Sequence, residues 1–374
     1  DDPRLGEFVN QALEELSECD IVDSDDEVVD PTFVIQSDHS SDSEVEQSDE
    51  SEIEIENVKQ NDASFLGKNG FVWNKTLPPK NVRTRGHNIV VQLPGLRQPA
   101  KTLGNKPEPQ DVWKLLFTTE IIDIIVSWTN VKILTAKEKY KDHTLSFLHT
   151  TDATEITGFL GLLIFTEIFK SGSESIQNLF ATDGTGRDLF RCTMSMKRFL
   201  FLLACLRFDD SSTREQRKET DPVPAISEIF DMFINNSQKM YTLGTSVCID
   251  EMLVAFRGRC KFKIYMPKKP AKYGVKIMCL ADARNGYLYN AYIYAGRGSD
   301  GLGLTEDEKK LSIPSQSVIR LVKPIEKSHR NVTADNWFGS IQVAQQLQAR
   351  GLTYVDTLRK NKGEIPPNKS REIS

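Results

Sequence analysis

The spacing of apolar residues changes at Gly244, and that change divides the chain into two kinds of structure. Before it the period is helical. Phe117, Ile121, Ile124 and Trp128 recur at one-turn intervals on one face of a helix. Asp152 and Glu155 have the spacing of a capping box, and the helix behind them brings Ile156, Leu160, Leu163 and Ile164 to one side. Ser195 caps another helix, with Phe199, Leu202, Leu203 and Leu206 inward. A fourth runs over 227–241 with Phe230, Phe233 and Ile234. Such stripes are core packing and demand no cofactor.

Beyond Gly244 the period falls to two. Val247 to Phe256 reads as a strand, and Val275, Ile277 and Cys279 alternate in a second. Asn285-Gly286 is a strong hairpin signal, followed by a Tyr-rich third strand over 287–294. A helix is expected over 317–325, a short strand over 331–334 and a helix over 340–350 stopped by Gly351. A last strand covers 352–358. The order after Gly244 is therefore β-β-β-α-β-α-β, and the fold class is α+β.

Charge separates a third region. Residues 1–60 hold 21 acidic and 2 basic residues, net −19, whereas 61–374 hold 32 acidic and 45 basic, net +13. The acidic segment, taken as 1–65, has too little apolar surface to offset its chain entropy and is expected to be disordered. Residues 66–110, with isolated aromatics among Pro, Gly, Lys and Arg, read as an extended arm. A helical domain over 111–243 and a mixed-sheet domain over 244–374 complete the organisation. The basic body suits a polyanion partner. The six cysteines form no CxxC pair and read as reduced core residues. No apolar run approaches the roughly 20 residues of a membrane helix. Asp1 at the start and Ser374 at the end suggest a piece of a longer protein.

Two residues break the strand pattern. Asp250 lies within the first strand and Asp335 closes the fourth, although aspartate is depleted in strands. A carboxylate in a half-buried sheet costs several kcal/mol unless it is paired or bound to metal. In a ribonuclease H-like sheet, whose element order this chain shares, the first and fourth strands are neighbours. The two acids then adjoin, and hard oxygen donors so placed suit Mg²⁺ or Mn²⁺. The structural alternative pairs Asp250 with a nearby base such as Arg257 or Lys276 and has Asp335 cap the turn into the following helix. Glu251 must face the opposite side from Asp250. Asp282 reads as turn chemistry and His329 as a solvated loop residue.

The strings around these residues decide between the two readings. They are Ile-Asp-Glu-Met-Leu-Val-Ala-Phe-Arg-Gly-Arg-Cys from Ile249, Tyr-Met-Pro-Lys-Lys-Pro-Ala-Lys-Tyr-Gly-Val-Lys over 265–276, Tyr-Ala-Gly-Arg-Gly over 294–298, and Asn-Val-Thr-Ala-Asp-Asn-Trp-Phe-Gly from Asn331. With Arg198-Phe199 and Cys205-Leu206-Arg207-Phe208-Asp209-Asp210, they resemble the piggyBac transposase family over about 110–365. The resemblance implies a ribonuclease H-like catalytic core preceded by an all-helical domain for dimerisation and DNA binding. Asp250 and Asp335 become the first two acids of a three-carboxylate, Mg²⁺- or Mn²⁺-dependent site that cuts and pastes DNA at TTAA targets. The third acid and a Cys-rich zinc domain lie beyond Ser374, and neither Asp356 nor Glu364 matches the family pattern. The basic loop of Lys268, Lys269, Lys272 and Tyr273, flanked by Arg257 and Arg259, is the expected DNA contact. Transposon ends and TTAA target DNA are the expected partners of a nuclear homodimer, with no membrane and no small-molecule substrate. The rival expectation is a domesticated, non-catalytic DNA-binding or chromatin protein.

Overall fold

The computed structural model describes residues 35–36 and 64–366, apart from 78, 80, 81, 84, 140–144, 172, 173, 257 and 259. The chain forms two compact units, one containing Thr102–Asn236 and the other Pro31–Lys101 with Ser237–Ser374.

The first unit is helical. Its elements are α1 (Pro109–Leu116), α2 (Thr119–Lys139), α3 (Ala153–Ile168), α4 (Ile176–Leu179), α5 (Asp188–Thr193), α6 (Met196–Cys205), α7 (Arg214–Arg217) and the first turns of α8 (Ser227–Met240). The longest, α2, buries Ile121, Ile122, Ile125, Thr129, Ile133 and Ala136. Phe190 of α5 and Phe199 of α6 pack around Phe180, and Phe159 of α3 packs on Phe199, in tilted or edge-on pairs with ring centres 5.2–6.5 Å apart. The apolar stripes are narrower than their spacing suggests. Ile164 is 47% exposed and Leu203 43%, while Phe201 is fully buried. A helix buries one face only, and α6 centres that face on Phe199, Phe201, Leu202 and Cys205, leaving Leu203 outside.

Two caps follow the expected chemistry. Asp152 accepts from the Glu155 N–H at 2.8 Å, and the Ser195 hydroxyl accepts from the Arg198 N–H at 3.2 Å. The Asp152 box is not closed, because the Glu155 carboxylate turns to Arg198 and Thr151 instead.

The second unit is built on a mixed sheet. Its strands are β1 (Ile35–Gln36), β6 (Ser246–Ala255), β7 (Lys263–Tyr265), β8 (Tyr273–Asp282), β9 (Leu288–Ile293), β10 (Asn331–Ala334) and β11 (Thr353–Val355). Between them in the chain, β2 (Ser64–Leu66) pairs with β3 (Val72–Asn74), and β4 (Gly95–Leu96) with β5 (Tyr241–Thr242). The large sheet runs β1-β7-β8-β6-β10-β11, with β9 also on β8. Pairings among β6, β7, β8 and β9 are antiparallel, whereas β10 is parallel to both β6 and β11. Gly286, at φ +71°, supplies the left-handed residue of the β8–β9 turn. Ile35–Gln36, inside the acidic segment expected to be disordered, forms an edge strand parallel to β7.

Two helices of this unit, α10 (Ile313–Val322) and α11 (Ile341–Ala349), follow the short α9 (Glu306–Lys309). Val318, Leu321 and Val322 of α10 and Val343 and Leu347 of α11 pack with Val247, Ile249, Met278, Leu280 and Val332 of the sheet. The α10 helix starts four residues earlier than its sequence pattern predicts, with Pro314 in its first turn. Gly351, at φ +69°, ends α11 as expected. On the other side Met252, Val254 and Val355 are 45%, 43% and 57% exposed. No described helix is long and apolar enough to cross a membrane.

Candidate functional site

The alternation along β6 settles where each side chain of the Asp250 region points. Val247, Ile249 and Glu251 are buried, whereas Asp250 and Met252 are exposed. The parallel ladder with β10 ends at Ala334 opposite Ile249. One step further along both strands stand Asp335 and Asp250, on strands spaced roughly 4.8 Å apart. Asp335 is exposed, as Asp250 is. Residues 85 positions apart are thus brought to the same end of adjacent strands.

Each acid is oriented by the backbone of its own segment. Asp250 Oδ1 accepts from the Glu251 N–H at 2.8 Å, and Asp335 Oδ1 from the Asn336 N–H at 2.6 Å. The Asp335 carbonyl accepts from the Phe338 N–H at 3.0 Å. Neither carboxylate has an ion-pair partner among the described residues. Lys276 does not pair with Asp250, because it shares the buried face of β8 with Met278 and Leu280. Asp335 does cap the turn that leads into α11, through the Asn336 and Phe338 N–H groups, while Ser340 caps the helix itself, accepting from the Val343 N–H at 3.1 Å. Arg257 lies outside the described residues.

Two thiols flank Asp250 on the exposed side. Cys279 is its register partner on β8, and Cys248 precedes it by two on β6. Burial, then the Asp250 charge, pushes the Cys279 thiol up to about 11 and raises that of Cys248. No group of three or more His, Cys, Asp or Glu gathers as a metal-binding set among the described residues. Asp356 therefore does not join the two acids. It lies against Gly339, where an added Cβ would come within 2.3 Å of its Oδ2, and burial raises its pKa.

The basic loop occupies the β7–β8 hairpin. Lys268, Lys272 and Tyr273 are exposed, and the Tyr265 and Tyr273 rings face each other at 4.8 Å. Lys272 adopts φ +55°, turning the chain into β8. Lys269 is held differently: its ammonium pairs with Glu251 Oε1 at 3.1 Å. Arg257 and Arg259 lie outside the described residues. Asp282 proves to be more than a turn residue. It is buried and accepts from the Gly244 N–H at 2.6 Å and the Arg284 N–H at 2.9 Å. His329 is not simply solvated, since its Nδ1 is buried without a hydrogen-bond partner among the described residues.

Lys276, which the sequence offers as an ion-pair partner of Asp250, stands instead on the covered face of the sheet. It is fully buried on the central strand, and burial depresses its pKa to about 8. The available signal was parity, for Lys276 falls in step with Met278 and Leu280.

A family model described as Transposase IS4 matches residues 108–373. The human PiggyBac transposable element-derived protein 3 is 24% identical over 263 residues, which cover 68% of this chain and 40% of that protein. The human chimeric ERCC6-PGBD3 protein is also 24% identical over 68% of this chain, but only 22% of its own length. The solved piggyBac transposase synaptic complex with hairpin DNA is 38% identical, with a TM-score of 0.66 over 74% of this chain and 55% of that one. This chain spans about half or less of each of these proteins. The motifs, the mixed sheet and the matches agree, and the chain belongs to the piggyBac transposase family.

Proposed function

We propose that this chain carries the DNA-processing core of a piggyBac-type transposase, in which Asp250 and Asp335 of a ribonuclease H-like sheet hold a divalent cation. The observation that carries this reading is the β6–β10 register, one step beyond which the two acids adjoin. The strand order β9-β8-β6-β10-β11, antiparallel and then parallel, supports the ribonuclease H-like assignment. The donor set fits Mg²⁺ or Mn²⁺, being two carboxylates on an exposed face, each with one oxygen already oriented by an amide. A bound ion would supply Lewis-acid activation at the phosphate. The chain's own part is to fix two anionic ligands and leave DNA a path to them. Lys268, Lys269, Lys272 and Tyr273, with Arg257 and Arg259, are the proposed phosphate and base contacts.

Cut-and-paste transfer at TTAA, through a third acid, belongs on this reading to the longer protein, acting in the nucleus as a dimer. Dimerisation and DNA binding are assigned to the helical region over 111–243. The second reading is a transposase-derived protein that binds DNA without cutting it. Its support is that only two acids meet at the site among the described residues.

The test is Mn²⁺ binding by residues 1–374, followed by electron paramagnetic resonance, beside Asp250→Ala and Asp335→Ala. Weak binding lost in both variants is expected, together with no cleavage of TTAA-bearing DNA by this chain alone. Binding that both variants retain would overturn the site. Cleavage lost in both variants would show that the chain already holds a complete active centre.

A further inference from the structure

On the covered side of the sheet, beneath the two aspartates, stands a cation that the proposed metal chemistry does not use. Lys276 is fully buried on β8. Its ammonium lies 5.7 Å from the ring centre of Tyr294 and 5.6 Å from that of Trp337. Its register partner is Leu253, and the next residue of β6 on the same face is Glu251. Cross-strand diagonal neighbours of this kind stand roughly 7–8 Å apart at the backbone, within reach of a lysine. Glu251 and Asp300 are both buried, and their attraction for the Lys276 ammonium, that of Glu251 being the larger, opposes the effect of burial on that lysine. A buried charge of this kind is disfavoured relative to a well-packed apolar side chain. Packing alone therefore favours methionine or leucine at position 276, and the lysine calls for another account.

That account lies in what its neighbours adjoin. Glu251 directly follows Asp250, and the Glu251 N–H is the donor that orients the Asp250 carboxylate. Trp337 lies two residues after Asp335, and Phe338, packed edge-on against it at 4.7 Å, donates its N–H to the Asp335 carbonyl. One ammonium thus lies beside the near neighbour of each acid, from the opposite side of the sheet. We propose that Lys276 is a positioning residue, which ties Glu251 and Trp337 together beneath the sheet and thereby sets the spacing and orientation of Asp250 and Asp335. This rests on the reading of those two acids as a divalent-cation site. Lys269 braces the same Glu251 from the loop, at 3.1 Å to Oε1, so the carboxylate is held from two directions while Trp337 takes Lys276.

The experiment is Mn²⁺ affinity measured on residues 1–374 at pH 7, with thermal unfolding of the metal-free protein recorded alongside. The variants are Lys276→Met, which keeps the length of the side chain and removes its charge, Trp337→Leu, Trp337→Phe and Asp250→Ala. Loss of a group that orients metal ligands weakens binding roughly 10–100-fold. A folded Lys276→Met and a folded Trp337→Leu are expected to bind in that weakened range. Trp337→Phe, which keeps a ring beside the ammonium, should fall between Trp337→Leu and the wild type. A purely structural lysine would move the unfolding temperature and leave the affinity unchanged, so wild-type affinity in folded Lys276→Met overturns the proposal. Should Lys276→Met fail to fold, the two Trp337 variants decide, and equal affinity in both overturns it. Asp250→Ala separates the two levels of argument. If the wild type binds no Mn²⁺, or Asp250→Ala binds as tightly, the metal site itself is refuted and the positioning role falls with it.

Discussion

Replacing Arg198 by methionine should be among the most damaging single changes in the helical unit. The guanidinium is buried, with the residue only 4% exposed. Its Nε and Nη2 donate to the two oxygens of Glu155 at 2.7 and 2.6 Å, and its Nη1 donates to the carbonyls of Phe147 and His149 at 2.7 Å each. Methionine restores most of the volume and none of the donors. Breaking a buried pair from one side costs about 3–5 kcal/mol, because the remaining charge is left uncompensated. For a unit of this size that corresponds to a fall of roughly 10–20 °C in unfolding temperature. Burial by itself raises the Glu155 pKa, but the hydrogen bonds from Arg198 and Thr151 outweigh it and the net shift is downward. In the wild type this carboxylate therefore contributes stability above its unfolded pKa, and that contribution is lost as pH falls through the lower folded value. In Arg198→Met the burial effect is left facing weaker opposition, and the contribution of Glu155 should shrink or reverse across the acid range. Urea unfolding at pH 4 and pH 7, on the wild type, Arg198→Met, Glu155→Gln and the double variant, measures both effects. The double variant should recover about 1–2 kcal/mol relative to Arg198→Met. A loss below about 1 kcal/mol in Arg198→Met, or strict additivity of the two changes, would refute the reasoning.

Three further outcomes follow from the second unit and from the charge distribution. Lys276 releases its proton near pH 8 when folded and near 10.5 when unfolded, so the wild type should gain up to about 3 kcal/mol over Lys276→Met between those pH values, read from paired urea titrations at pH 7 and pH 10.5. Gly339→Ala drives a Cβ to within 2.3 Å of Asp356 Oδ2 and 3.0 Å of the Thr357 carbonyl, and should cost about 1–3 kcal/mol, part of it recovered by Asp356→Ala, as chemical denaturation will show. Deleting residues 1–60, which carry a net charge of −19, should tighten DNA binding at low salt and steepen its salt dependence in a fluorescence titration, and equal affinities would exclude competition by the tail.

The parts of this fold that were legible in the sequence are those where one residue type has one physical use. Asn285-Gly286 marks a turn because the hairpin needs a left-handed residue, and Gly286 takes φ +71°. Ser195 and Asp152 start helices because their side chains can satisfy orphan amides. Asp250 and Asp335 stood out because a carboxylate in a strand needs an explanation. Where a pattern had two solutions, the sequence could not choose. Along β8 both parities are apolar, Ile277 and Cys279 on one face and Met278 and Leu280 on the other, so alternation identified a strand without saying which face was covered. For that reason Lys276 could be read as a partner of Asp250, whereas it lies on the covered face. The three-residue β7 and the two-residue β1 are too short for any period to register, and they exist through pairing with each other and, for β7, with β8. Leu203 and Ile164 read as inward because a stripe of spaced leucines and isoleucines is wider than the face a helix buries, and both are exposed.

The parallel union of β6 with β10 also fixes when the two acids can meet. The strands β6, β8 and β9 pair with near neighbours in the chain, so their antiparallel meander closes through short connections. Asp335 reaches Asp250 only across an 85-residue separation, a closure of higher entropic cost. At about 5–20 residues per second, a ribosome makes Asp335 roughly 4–17 s after Asp250. Throughout that interval the nascent chain holds one acid of the pair and not the other. A chain released early, or one whose β10 edge has come away from β6, therefore cannot assemble the two-acid site, however complete the rest of its sheet.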